Sequence, residues 1–552
     1  DMDAANAALA TWWRQRQREC PALAALLLSA ELRHAKPHTQ LLALAETVEG
    51  KAFLRQRLAA ARSEMEAKQD DGAAHAAVAA FEFKLKDYSS AQRHLERAVA
   101  LSPECGQYRS DLERVRRQIS ADERRDVMLA RNSSDSCAFQ PLQQVDRRTW
   151  QELTPAVFQE EYASKRKPVI VQGVVGLMVD EPWTLEFLKT RLGHKKVPLR
   201  QLVPNSPEWA RLEELDEKMP FSDFVDGFVD GTTTPLLSLF DWSIPQHAPE
   251  LLSSLRIPRL FGDDLLQRTA AGSLYRESWP SLFVGPKGAG GACHIDTFGS
   301  NFWMAMLSGR KRWVFCDAAS APLLSPSYHS SLDPTFSVDM LQPQDLPRCS
   351  EFNGWEATLE PGEIIFVPSG CPHQVVNLES SVAVSANFID TSNLDAAISQ
   401  LTVDSHTNPE AMALVEQLSD PSFPRQSFAV QSISTPTMSW ADFKSPPCRS
   451  HLESHNSSGK RRVETPCALD IAEPTGEFKR VRVSSPPATL IPRPPRCDSG
   501  SPGNRSPSPG LTLTERWSPR SRTAVAQRTD REIRQVIDLL FGDNVVRRED
   551  SV

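Results

Sequence analysis

Between Lys167 and Phe388 the sequence breaks into short runs rich in β-branched and aromatic residues. They read "KPVIVQGVV", "KKVPLRQL", "TPLLSLFDW", "SLFVGP", "KRWVFC", "GEIIFVPSG", "HQVVNL" and "VAVSANFI", with Gly and Pro at their ends. Runs this short are too brief for helices and too frequent for a bundle. They predict a β-sandwich or jelly-roll barrel. Helical stretches such as "TPAVFQEEYASK" and "PWTLEFLKTRLG" interleave the early runs, so the class is α+β.

The flanks differ in kind. Residues 1–118 are rich in Ala, Leu, Glu, Gln and Arg, with few β-branched residues, and predict helix throughout. Within them, Ala73–Glu104 places small residues at Ala77, Ala80, Ala91 and Ala98 around Tyr88, with Pro103 closing the second helix. That pattern fits one tetratricopeptide-like (TPR-like) repeat or a plain helical hairpin. Residues 119–138 are polar and read as a linker, 139–395 as the β-rich domain, and 396–424 as a trailing helical segment. Residues 425–527 are rich in Ser, Pro and Arg without apolar periodicity, and are expected to be disordered. Residues 528–542 place Ile533, Val536, Ile537 and Leu540 at helical spacing and read as a short helix.

The chain has 552 residues and a net charge of −8, which excludes a protein that coats nucleic acid as a whole. Weak RNA binding by the tail stays open. Ten scattered cysteines show no zinc-ligand spacing and fit free thiols in a reducing compartment. No apolar run is long enough to span a membrane. The sequence opens on Asp1 and reads as trimmed or as a fragment. "GKRR" (Gly459–Arg462) and "FKRVRV" (Phe478–Val483) form a bipartite nuclear import signal or a solvated basic tail. The expected location is nuclear or nucleo-cytoplasmic.

The chemistry concentrates in "GACHIDTFGSNFWMAMLSGRKRW". In a strand, residues two apart share a face, so His294 and Asp296 project together. His373, in "CPHQVVNL", supplies a third ligand. Two His and one carboxylate leave open positions on an ion, a geometry suited to non-haem Fe(II). Lys311, Trp313 and Phe315 share one face of the next strand. A lysine aimed into an apolar barrel needs an anion, and a dicarboxylate cosubstrate would provide it. Ser385 and Asn387 are placed inward beside it. Cys293 and Cys371 flank the ligands, either as inert small hydrophobes or as oxidation-sensitive thiols.

Together these motifs, from about Gln140 to Asp390, resemble the JmjC (Jumonji C) family of Fe(II)- and 2-oxoglutarate-dependent oxygenases. They are most similar to its small lysyl-hydroxylase and arginine-demethylase branch. The resemblance implies a double-stranded β-helix (cupin) core. It implies iron on His294, Asp296 and His373, with 2-oxoglutarate and O2 as cosubstrates, and no catalytic residue beyond the metal centre. Lys311 would pair with the distal carboxylate of 2-oxoglutarate, helped by Ser385, and Asn301 and Asn387 would be further polar contacts. Two positions depart from the pattern. Gly291 stands where many relatives have Thr or Ser, and Met304 where the most similar branch would put Asn. The implied activity is hydroxylation of a protein or peptide side chain with release of succinate and CO2, or demethylation of a histone or another protein at the same site. A silent scaffold is the alternative of another class. The helical N-terminus is expected to dock a partner.

Overall fold

The computed structural model describes residues 3–16, 26, 35–131, 141–425 (apart from 233 and 330) and 436–444. The expected C-terminal helix over 528–542 and both basic clusters lie outside the described residues.

Two sheets face each other. Residues Gln143–Gln144 (β1), Asp146–Thr149 (β2), Val169–Gln172 (β3), Arg200–Leu202 (β4), Leu212–Glu214 (β5), Leu237–Ser243 (β6) and Ser281–Gly285 (β7) lead in. Gly290–His294 (β8), Asn301–Ser308 (β9), Lys311–Cys316 (β10), Gly354–Leu359 (β11), Glu363–Val367 (β12), His373–Asn377 (β13) and Ser381–Phe388 (β14) follow. The larger sheet has the order β2-β3-β12-β9-β14-β7-β6-β4-β5, and the smaller one β1-β11-β10-β13-β8. Their inner faces enclose Phe283, Phe302, Met304, Trp313 and Ile365. This is the jelly-roll arrangement that the short runs predict and the double-stranded β-helix that the resemblance implies.

Alternation along the strands decides which side chains reach the interior. On β9, Phe302, Met304 and Met306 point between the sheets. Trp303 and Ala305 point outward, into a second core under the helices. There Trp303 lies flat on Phe261, with ring centroids 5.7 Å apart. Val382, Val384 and Ala386 of β14 join that outer core, which leaves Ala383, Ser385 and Asn387 on the inner side.

The helical region comprises Asp3–Arg16 (α1), Pro37–Glu46 (α2), Val48–Ala67 (α3), Gly72–Lys84 (α4), Tyr88–Leu101 (α5) and Gly106–Arg131 (α6). Helices α4 and α5 form a hairpin, with Ala76, Ala80, Ala91, Leu95 and Ala98 buried between them. The expected linker at 119–138 is instead helical as far as Arg131, its later residues lying outside the described part. Its polar composition misled because only a stripe of the helix is buried: Asp111, Leu112, Arg114, Val115, Gln118, Ala121 and Met128. Gln118 Nε2 donates to the Pro326 carbonyl at 3.2 Å, and Arg117 to the Leu332 carbonyl at 3.0 Å. Helix α6 therefore rides on an arm of the cupin body.

Two helices, Leu394–Asp404 and Pro409–Ser419, follow β14. The expected disorder over 425–527 is corrected at 436–444. Thr437–Ser439 pairs antiparallel with Arg256–Pro258, and the helix Trp440–Lys444 buries Phe443. One apolar anchor and one strand of the body to pair with suffice, although the surrounding composition argues for disorder. Among the described residues no helix is long and apolar enough to cross a membrane.

Gly309 makes the turn from β9 into β10 at φ +73°, and a Cβ there would sit 2.2 Å from the Ser380 carbonyl oxygen. Gly309→Ala is expected to cost about 2 kcal/mol or more of stability, from left-handed strain plus the clash. Urea unfolding of the two proteins checks this.

Candidate metal centre

Strands β8 and β13 pair antiparallel, with His294 directly opposite His373. The backbone stays extended through Asp296, so Ile295 faces away and Asp296 turns back to the histidines. A 3-10 turn, Thr297–Gly299, fixes that end, with buried Phe298 stacked 4.3 Å from the Tyr275 ring. One ligand atom from each of His294, Asp296 and His373 lies within 4.8 Å of the others, and this is the one such group among the described residues.

The second nitrogen of each imidazole is already engaged. His294 Nδ1 bonds the Ala292 carbonyl at 2.8 Å, and His373 Nδ1 the Cys371 carbonyl at 3.0 Å. Both Nε2 atoms are left for an ion, the usual outer-shell arrangement of metal-bound histidines. Asp296 Oδ2 is buried and unpartnered. Burial, and then His373, holds His294 well below the usual imidazole range, and burial lowers His373 to about 4. Burial first, with Asp241 next, pushes Asp296 up to about 8. Neutral imidazoles beside a buried acid with no cationic partner among the described residues suit a divalent cation, which would displace the acid's proton on binding.

The triad opens into a cavity of about 160 Å³. Lys311 lines it, buried, with Nζ donating to Asn377 Oδ1 at 2.7 Å, and no carboxylate pairs with it among the described residues. Burial pushes its pKa down to about 8. Asn377 is itself fixed by donating to the Pro286 carbonyl at 3.0 Å. Asn387 lines the cavity and donates to Ser300 Oγ at 2.8 Å. Ser385, the register partner of Met304, has a buried and unpartnered Oγ and is not among the residues that line the cavity. Met304 forms the wall at the position where the resemblance anticipates Asn.

Asn301 is a correction. It shares the outward parity of Trp303, away from the cavity. Its Oδ1 accepts from the Ser369 amide at 2.9 Å, and its Nδ2 donates to Ser392 Oγ at 3.1 Å. It ties β9 to the loops around Ser369 and Ser392 and does not face a cosubstrate. Cys293 and Cys371 are fully buried, and burial raises both thiols, as it does that of Cys316. They pack as inert small hydrophobes.

Three cavity residues escape sequence reading. Asp241, at φ +52°, lines the cavity with its side chain exposed and accepts from Trp279 Nε1 at 3.1 Å. An acid inside the apolar run "LSLFDW" was its one trace. Asn377 lies four residues after His373, on the same strand face. Trp209 sits in a loop with no periodicity, and its ring stands edge-on to His294 at 4.4 Å.

The fold and the site have likenesses among known proteins. Residues 155–393, less than half of the chain, match the cupin-like domain family. The chain is 30% identical to lysine-specific demethylase JMJ21 of Arabidopsis thaliana, across 43% of this chain and 24% of that protein. It is 26% identical to arginine-specific demethylase JMJ20 of the same plant, across 51% and 65%. It is 31% identical to the 2-oxoglutarate and iron-dependent oxygenase JMJD4 of Danio rerio, across 32% and 43%. The chain thus spans less than two thirds of each of these relatives.

Asn301→Ala is expected to lower stability by about 1–3 kcal/mol, because the buried Ser369 amide loses its acceptor. Its 2-oxoglutarate affinity should stay within about twofold of the parent chain. Urea unfolding and calorimetric titration separate the two effects.

Proposed function

We propose that this chain is an Fe(II)- and 2-oxoglutarate-dependent oxygenase that hydroxylates a protein side chain. The observation that carries the reading is the buried His294–Asp296–His373 triad sharing one cavity with a lysine that has no acidic partner among the described residues. The free Nε2 atoms and the orphaned Asp296 oxygen would hold Fe(II). When bound, Fe(II) supplies the activation of O2 coupled to oxidation of 2-oxoglutarate to succinate and CO2.

The chain's own residues bind and orient. The Lys311 ammonium would take the distal carboxylate of the cosubstrate, and its hydrogen bond to Asn377 aims it there. The unpartnered Ser385 hydroxyl offers a donor nearby. Apolar walls from Phe302 and Trp313 keep the site dry, which strengthens the ion pair. A silent scaffold has no use for a buried cation and three converging ligands that cost stability.

The same site would also serve N-methyl demethylation, and two of the relatives above carry that name. A histone is one candidate protein substrate. The α4–α5 hairpin supports a TPR-like docking role for the helical N-terminus. The basic clusters at Gly459–Arg462 and Phe478–Val483 support nuclear or nucleo-cytoplasmic location.

Succinate should form from 2-oxoglutarate with Fe(II) and ascorbate, and His294→Ala should reduce it at least 100-fold. A chain that binds Fe(II) but releases no succinate with any protein fraction would favour the scaffold. The affinity for 2-oxoglutarate should also depend on pH. Only charged Lys311 pairs with the dianion, and in the free protein it loses its proton near pH 8. Binding above that pH must take up a proton. The dissociation constant is therefore expected to be level below pH 8 and to rise about tenfold per pH unit above it. Lys311→Met should bind weakly at every pH and lose this rise.

A further inference from the structure

The segment 206–213 carries Trp209 onto the metal centre, and it is gripped from outside the cupin body. Glu213 is 1% exposed, and both its oxygens are engaged by the first turn of α2. Its Oε2 accepts from the Lys36 amide at 2.7 Å, and its Oε1 from Thr39 Oγ1 at 2.5 Å. Thr39 Oγ1 also lies 3.3 Å from Ser206 Oγ, which accepts from the Glu208 amide at 3.2 Å. His38 Nε2 stands 3.2 Å from the Glu208 carboxylate. Residues 36–39 thus hold both ends of the segment.

Between those anchors the backbone is forced. Ala210 and Arg211 both have positive φ, 53° and 55°. Consecutive L-residues in that region persist only where their surroundings hold them. The bend delivers Trp209 to the site. Its ring meets His294 edge-on, and Nε1 donates to the Ile295 carbonyl at 2.9 Å, between two ligands. Beyond the bend, Arg211 donates to the Phe336 carbonyl at 2.8 Å. Gly291 fits the same design. A Cβ there would stand 3.3 Å from the Ala210 Cβ, so the segment fills the space where a larger residue at 291 would project.

We propose that the N-terminal helical region is a positioning part of the metal site, with residues 36–39 acting through Glu213 and Ser206 to hold Trp209 against His294. The inference rests on the reading of the triad as an iron site and extends it beyond the cupin domain. Trp209 and Thr39 are positioning residues: they set the orientation of His294 and exclude water from one side of it. A partner that docks on the helices and shifts α2 would therefore alter metal affinity.

The test is a double-mutant cycle on the full chain, read as Co(II) affinity by calorimetry without cosubstrate or turnover. Thr39→Val keeps shape and loses the hydroxyl. It should raise the Co(II) dissociation constant about tenfold, in the range expected for groups that orient a ligand. Trp209→Ala should raise it similarly, and the double variant should be no worse than Trp209→Ala alone, because both act through one path. A Thr39→Val constant within twofold of the parent, even with a lowered melting temperature, would show a purely structural contact and overturn the inference. Additive effects in the double variant would overturn it as well. Should Thr39→Val fail to fold, Glu213→Gln, which keeps volume and one acceptor, takes its place in the cycle. No Co(II) binding by the parent chain would overturn the iron reading and this inference together, whereas parent binding with an indifferent cycle overturns this inference alone.

Discussion

The cross-strand pairing of His294 with His373 is the contact on which the site depends. Antiparallel partners bring their side chains within reach on one face. A shift of one residue in either strand would send one histidine into the opposite core. That register is secured by the interior it creates. Trp313 and Phe315 fill the inner face of the sheet that carries both histidines, and Cys293, Val314 and Cys316 the face behind it. A slip of β8 or β13 would turn a polar histidine into that apolar layer.

The barrel and the candidate triad were legible because they obey period-two alternation. Lys311 and Trp313, and Ser385 and Asn387, follow from parity along one strand each, and His294 and Asp296 from the extended backbone that continues two residues past β8. The same rule could have removed Asn301. It is one residue out of phase with Phe302, and reading it as a cosubstrate contact set motif likeness above strand geometry. Local pattern gave no warning of Trp209. Its place comes from a bend with two left-handed residues, and that bend is stabilised by groups about 170 positions earlier in the chain. No spacing rule reaches that far.

The segment boundaries failed for a related reason. Composition averages over a whole segment, whereas docking needs only a stripe. Helix α6 looks like a linker because most of its surface is charged, yet Val115, Gln118 and Ala121 are enough to seat it. In the tail, Phe443 and three ladder residues hold a stretch surrounded by Ser and Pro. Conversely, the hairpin of α4 and α5 was readable because its small residues recur at helical spacing throughout. The α6 interface also explains why the helical region and the cupin body share buried polar contacts: the Gln118 side chain bonds both the Pro326 carbonyl and the Tyr328 amide.

The pairing of Thr437–Ser439 with Arg256–Pro258 also bears on how the protein can be shortened. That short ladder is a two-stranded sheet of its own, and the tail supplies one of its two strands. A version of the chain ending before Pro436 would leave the Arg259 amide without the Pro436 carbonyl and the Ile257 backbone without its ladder partner, Met438. Such an edge invites strand addition from any extended peptide, including other copies of the same protein. Trimming the low-complexity tail at its apparent start, a natural choice for making a compact fragment, would then exchange an intramolecular clasp for a sticky seam. The prudent cut lies after Lys444, where the clasp is complete and Lys444 Nζ is bonded to Gln267 and Glu277.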